Sequence, residues 1–224
     1  MATRDPRQAF DRAGLIIFDF DGVIIDSNAA KFECFQTLAA NFGERAVACM
    51  NSFLSRHPSA TRFDAVACLR NEGGLPIEVT ERHLLQEFSK LSKERIKKLT
   101  VSPALAKLRE KDERRWALVS ATEVNDLREI VSDLQIERFF QAGIFGSPLS
   151  KKENILSLLT ASDLSSTESV LLGDRLSDKI AAEQTGADFI FVSGWSDASP
   201  EDLKELKGCP SVNSLSGLLT TSGR

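Results

Sequence analysis

Asp19 and Asp21 stand two residues apart in the segment Asp19-Phe20-Asp21-Gly22-Val23. They follow Leu15-Ile16-Ile17-Phe18, an apolar run with the pattern of a buried strand. Two carboxylates at a strand end repel each other unless a cation or a proton lies between them. In an open α/β sheet, that end of the strand is where ligands bind. The spacing therefore asks for a divalent metal, for acid/base chemistry, or for both. Further polar groups recur at comparable places. Ser120-Ala121-Thr122 follows Trp116-Ala117-Leu118-Val119, Lys151-Lys152 follows Ser147-Pro148-Leu149-Ser150, and Asp174 and Asp178 follow Val170-Leu171-Leu172-Gly173.

Each of these has a plainer reading. An Asp-x-Asp pair is common in turns. Ser120 can cap the element after it, and Asp178 in the first turn of a helix suits the macrodipole. Lysines at a helix start oppose that dipole, which favours a chemical reason for one of them. The spacing from Ser147-Pro148 points to Lys151, with Lys152 as the alternative.

The elements that must position these groups alternate. Strand patterns fall at 15–19, 116–120, 142–145, 170–173 and 189–192. Ser102 reads as a helix N-cap with Pro103 at the first helical position. Helices are predicted over 122–134, 152–159 and 177–185, with Gly186 as a stop. Strands alternating with helices imply a doubly wound, Rossmann-like parallel sheet of the α/β class. The segment 26–100 breaks the rhythm. Phe32, Phe35, Leu38, Ala39 and Phe42 recur at helical spacing, 62–69 and 81–91 are helical, and Gly73-Gly74-Leu75-Pro76 is a turn. The division expected is an α/β core of 1–25 and 101–224, with 26–100 as an inserted α-helical cap that serves as a lid for the acidic site. The Ser/Thr/Gly-rich tail 214–224 is expected to fray at its end.

With 224 residues, 27% charged and 42% hydrophobic, the chain has a globular composition. A net charge of -4 with interspersed signs argues against nucleic acid as a partner. The basic run from Lys93 to Lys98 reads as a solvated helix face. No apolar run approaches a membrane span, and the N-terminus lacks a leader pattern, so a cytoplasmic setting is expected. Cys34, Cys49, Cys68 and Cys209 show no metal-type spacing and read as reduced thiols. His57 and His83 are the only histidines, too few for a histidine-based metal site or a triad. The sequence sets no oligomeric state.

The order Asp-x-Asp, Ser, Lys, Asp-x-x-x-Asp resembles the four motifs of the haloacid dehalogenase superfamily, in particular its capped metal-dependent phosphatases. That subgroup includes phosphoglycolate phosphatase and β-phosphoglucomutase. The likeness rests on Asp19-Phe20-Asp21-Gly22, Ser120, Lys151, and Gly173-Asp174 with Asp178, and it spans essentially the whole chain. It implies a phosphatase acting on a small phosphorylated metabolite. Asp19 would be the nucleophile and Asp21 the acid and base. Ser120 and Lys151 would hold the phosphoryl oxygens, with Gly22 and Ala121 beside the substrate. The Asp19 carboxylate, the Asp21 carbonyl and Asp174 would bind Mg²⁺, with Asp178 supporting them. Lys31 and Arg62 are cap-side candidates for contacting an anionic substrate, and Ser193-Gly194-Trp195 is a candidate wall. The segment lacks the Lys-Pro dipeptide common in the family. Lys31 stands where mutase-like relatives carry histidine. Open alternatives are a phosphomutase, a receiver-like module, and a phosphate-binding module without turnover.

Overall fold

In a computed structural model, which describes residues 5–57 and 60–219, the chain divides into two compact units. The first comprises 1–26 and 100–224, and the second 27–99. The first unit is built on a six-stranded parallel sheet in the order β3-β2-β1-β4-β5-β6. Its strands are β1 (Leu15–Phe18), β2 (Arg115–Glu123), β3 (Gly143–Ser147), β4 (Ser169–Gly173), β5 (Asp188–Val192) and β6 (Ser211–Val212). Its helices are α1 (Pro6–Arg12), α6 (Pro103–Arg109), α7 (Val124–Asp133), α8 (Lys151–Ser162), α9 (Leu176–Thr185) and α10 (Pro200–Leu206). The second unit holds α2 (Asn28–Ala40), α3 (Glu44–Arg56), α4 (Arg62–Glu72) and α5 (Glu81–Ile96).

The central strands carry apolar runs (Leu15–Phe18, 116–119 and 170–172) because both faces are covered, the usual state of a parallel sheet. Leu15, Ile17, Ala117, Val119 and Leu171 pack against Ile155 and Leu158 of α8 and Ala181 and Ala182 of α9. The alternate residues Ile16, Phe18, Trp116 and Leu118 are fully buried as well. Phe18 meets Trp116 at a ring separation of 4.7 Å and Phe140 at 6.1 Å. In the second unit, Phe35 stacks on Phe88 at 4.1 Å within a core that includes Leu38, Met50, Leu69 and Leu84.

The winding reverses at β1. From β1 the chain moves outward through β2 to β3, then returns to β4 on the other side of β1. That reversal opens a crevice beyond the carboxyl ends of β1 and β4. Phe18 pairs with Leu172, and the Asp19 N–H donates to the Leu172 carbonyl at 2.9 Å. The residues after Phe18 and Leu172 are therefore neighbours.

Several sequence expectations need correction. Thr122 and Glu123 belong to β2, and α7 begins at Val124 rather than at 122. The Glu123 carboxylate supplies the cap, accepting from the N–H groups of Asn125 and Asp126, each at 2.9 Å. Asp19 lies just past β1. Ser102 precedes Pro103 as expected, but its buried side chain makes no capping bond. Near the start of the tail, Leu215 and Leu218 are buried. The end expected to fray, residues 220–224, lies outside the described residues.

Candidate active site

The loop after β1 turns at Gly22, whose φ of 73° is the left-handed region that glycine enters at little cost. The Gly22 N–H donates to the Ile25 carbonyl at 2.9 Å, and the Ile24 N–H returns to Phe20 at 3.0 Å. This curl fixes Asp19 and Asp21 at the crevice. One Asp19 oxygen, Oδ1, accepts from the Phe20 N–H at 2.8 Å and pairs with Lys151 Nζ at 2.8 Å. The Asp21 carboxylate accepts from the Thr122 hydroxyl at 3.4 Å.

Lys151 is the first residue of α8, and its ammonium also pairs with Asp178. Lys152 is exposed. The loop before α8 contains a cis Ser147–Pro148 peptide. Asn154, buried one turn into α8, donates to the carbonyls of Gly146 at 3.1 Å and Leu149 at 3.2 Å. This amide clamps the loop that delivers Lys151. Ser150 caps α8, its hydroxyl accepting from the Glu153 N–H at 3.2 Å while the Glu153 carboxylate returns to the Ser150 N–H.

At the end of β4, Asp178 folds back over Gly173. Its Oδ2 accepts from the N–H groups of Asp174 and Arg175, each at 3.1 Å. A Cβ on Gly173 would sit 2.3 Å from the Asp178 Cβ, so this approach requires glycine. Ser196, in the loop after β5, donates to the Asp174 carbonyl, and Arg175 pairs with Asp197 at 2.7 Å. The loop containing Ser193, Gly194 and Trp195 is thus tied to the β4 loop. Ser120 is 1% exposed, and its oxygen accepts from the Thr122 N–H at 3.1 Å. Ala121 beside it is exposed, and Gly22 is buried.

Carboxylate oxygens of Asp19, Asp174 and Asp178 lie within 4.8 Å of one another, and all three residues are buried. Burial pushes the Asp19 carboxyl up to about 7; Lys151 opposes that shift, while Asp178 and Asp21 reinforce it. For Lys151, burial acts to strip the proton, but Asp178 and Asp19 outweigh it and hold the ammonium more firmly than usual. Three buried carboxyl groups crowd around one ammonium, a gathering that favours an added cation. An all-oxygen, acidic donor set of this kind fits Mg²⁺ or a similar hard divalent ion. Asp21 is not part of this carboxylate group.

Lys31 and Arg62 belong to the second unit. Lys31 is half-buried in α2. Arg62 begins α4, where its guanidinium donates to the Ser89 hydroxyl at 3.3 Å and lies 5.7 Å from the centre of the Phe88 ring. Three residues of the first unit escaped sequence reasoning. Thr122 and Asn154 act through single contacts that no spacing announces. Arg175 had a readable signal, a cation directly after the β4 aspartate.

The family model for haloacid dehalogenase-like hydrolases matches residues 16–192. The chain belongs to this family. No curated protein matches it in sequence. Solved structures share the fold. A HAD hydrolase of family IA, variant 3, from Entamoeba histolytica is 16% identical with a TM-score of 0.73, covering 92% of this chain and 95% of its own. A candidate β-phosphoglucomutase from Thermotoga maritima is 19% identical, with a TM-score of 0.67 and coverage of 91% and 96%. A candidate phosphatase from Clostridium difficile is 17% identical, with a TM-score of 0.68 and coverage of 93% and 99%. This haloacid dehalogenase-like hydrolase has no described helix long and apolar enough to cross a membrane.

Proposed function

We propose that this hydrolase is a Mg²⁺-dependent phosphatase that cleaves a small phosphorylated metabolite in the cytoplasm through an aspartyl-phosphate on Asp19. The observation that carries this reading is the buried Asp19 carboxylate. It is held by Lys151 at 2.8 Å and shares a space of under 4.8 Å with Asp174 and Asp178.

Asp19 and Asp174, with the Asp21 main-chain carbonyl, would hold the metal, and Asp178 would fix Lys151 and the β4 loop around it. When bound, the divalent ion supplies the positive charge that lets two anions, carboxylate and phosphate, approach each other. One carboxylate oxygen of Asp19 is the attacking atom. It forms the bond to phosphorus in line with the departing alkoxide. Asp21, oriented by Thr122, gives its proton to that alkoxide. It then takes a proton from the water that attacks the acyl phosphate. Ser120 and Lys151 hold the equatorial oxygens where charge develops, with Gly22 and Ala121 lining the phosphate. Lys31 would attract an anionic substrate, as a lysine charged at neutral pH. Arg62 would add a planar donor fork once released from Ser89.

Release of phosphate from an aryl phosphate tests the reading. Turnover should require Mg²⁺ and disappear on chelation, and quenched reactions should carry the phosphoryl group on Asp19. Activity that survives exhaustive EDTA treatment, or a label on another residue, would overturn it. With sugar phosphates, phosphorus NMR should show inorganic phosphate accumulating rather than a positional isomer.

A further inference from the structure

Cys49 of α3 and Cys68 of α4 lie 19 residues apart, and their Sγ atoms meet at 3.7 Å. The Cys49 sulfur is also 3.9 Å from the Cys68 carbonyl oxygen, so this side chain reaches the α4 backbone. The sequence explains the close approach. Ala46 and Ala65 each stand three residues before a cysteine, on the same helical face, and both are fully buried. Small side chains at these positions let the two helices pack closely. Both cysteines are half-buried, within reach of a small reagent.

We propose that Cys49 and Cys68 form a dithiol modification site that closes reversibly to a disulfide joining α3 to α4. Bonding distance is about 2.05 Å. The sulfurs therefore close a gap of about 1.7 Å, shared between two side-chain rotations. The oxidant is a low-molecular-weight disulfide. One cysteine thiolate attacks it, the oxidant's S–S bond breaks, one small thiolate leaves, and a mixed disulfide forms. The second cysteine thiolate attacks the protein sulfur of that mixed disulfide and expels the other small thiolate. Two electrons pass from the cysteine pair to the oxidant, and the two cysteine protons end on the two released thiols. Excess small thiol runs the steps backward. Burial, then the adjacent Cys49, pushes the Cys68 thiol up to about 11, so closure by the oxidant is slow at neutral pH.

Glu72, one turn beyond Cys68, brings a carboxylate oxygen within 4.8 Å of both sulfurs, which makes Zn²⁺ the competing occupant. The test equilibrates the full chain with graded mixtures of oxidised and reduced glutathione, traps free thiols by alkylation, and maps the peptides by mass. Cys49 and Cys68 should lose alkylation together, appear as one cross-linked peptide pair, and recover on reduction. Cys34, buried in α2, and Cys209, in the first unit, should stay alkylatable after unfolding and serve as internal controls. Cys49→Ser, with its fold checked by circular dichroism, should leave Cys68 holding glutathione. Independent modification of the two sites, stable glutathione adducts on the unsubstituted chain, or protection by Zn²⁺ with no cross-link would overturn the proposal. Mapping of the unsubstituted chain decides the matter even if the variant fails to fold.

Discussion

At the scale of single residues, the two lysines that begin α8 divide sharply. Lys151 bridges Asp19 and Asp178, while Lys152 is exposed. Lys151→Ala should lower kcat on an aryl phosphate by about 10²–10³, the usual cost of losing one charge-stabilising donor. Lys152→Ala should leave the rate nearly unchanged. Steady-state assays of both variants at saturating Mg²⁺ decide it, and the reverse ranking would point to the other lysine. The gathering of Asp19, Lys151, Asp174 and Asp178 was legible because each closely follows a strand or opens a helix, and topology alone brings such ends together. Thr122, Asn154 and Arg175 were not placed in this way. Their contributions depend on one hydrogen bond, a loop clamp and an ion pair, and sequence order specifies none of these.

At the scale of elements, α8 and the loop before it behave as one part because Asn154 ties them. Asn154→Ala would leave the Gly146 and Leu149 carbonyls without this donor, at a cost of about 1–3 kcal/mol. The unfolding free energy from denaturant titration should fall by that amount. The kcat should fall as well, because Lys151 loses its register, while the aryl phosphate KM changes less. A variant that is destabilised yet keeps its full kcat would remove Asn154 from any positioning role. The strands β1 to β5 announced themselves as apolar runs. The α7 boundary did not, since Thr122 and Glu123 suit both a strand end and a first helical turn. The two-residue β6 and seven-residue α1 and α10 are too short for a periodic signal. In α3 only Ala46 and Met50 are buried, a thin stripe beside the phenylalanine-rich α2.

For the molecule as a whole, the acidic centre couples stability to pH and to metal. A carboxyl raised from 3.8 to about 7, as Asp19 is, favours the folded state while protonated. That contribution is complete below the unfolded value and is lost as pH rises through about 7. Metal-free protein should therefore show a thermal midpoint that declines between about pH 4 and pH 7. Mg²⁺ should restore the most at the alkaline end, and Asp19→Asn should flatten the decline. A midpoint indifferent to all three changes would remove Asp19 from the acidic cluster. Asp112 acts in the opposite direction. Burial raises its carboxyl, but hydrogen bonds from the Arg114 side chain and N–H outweigh that and hold it below 3.8. Its stabilisation is present above that value and is lost as pH falls through the depressed one.

The bridge between Ile25 and Val101, with the Ser102 N–H donating to the Ile24 carbonyl at 2.8 Å, joins the two points where the chain leaves and re-enters the first unit. The chain therefore leaves and re-enters the first unit through a closed stem, and its entry and exit can be spliced. Replacing residues 27–99 with a few glycines should yield a chain that still folds around the parallel sheet. It would also shorten the loop that must close before β1 meets β2 by about two doublings, each worth about 0.6 kcal/mol of closure entropy. Stopped-flow refolding of this shortened chain should run faster than that of the full protein. A shortened chain that cannot form the sheet would mean that the stem needs the helices it carries.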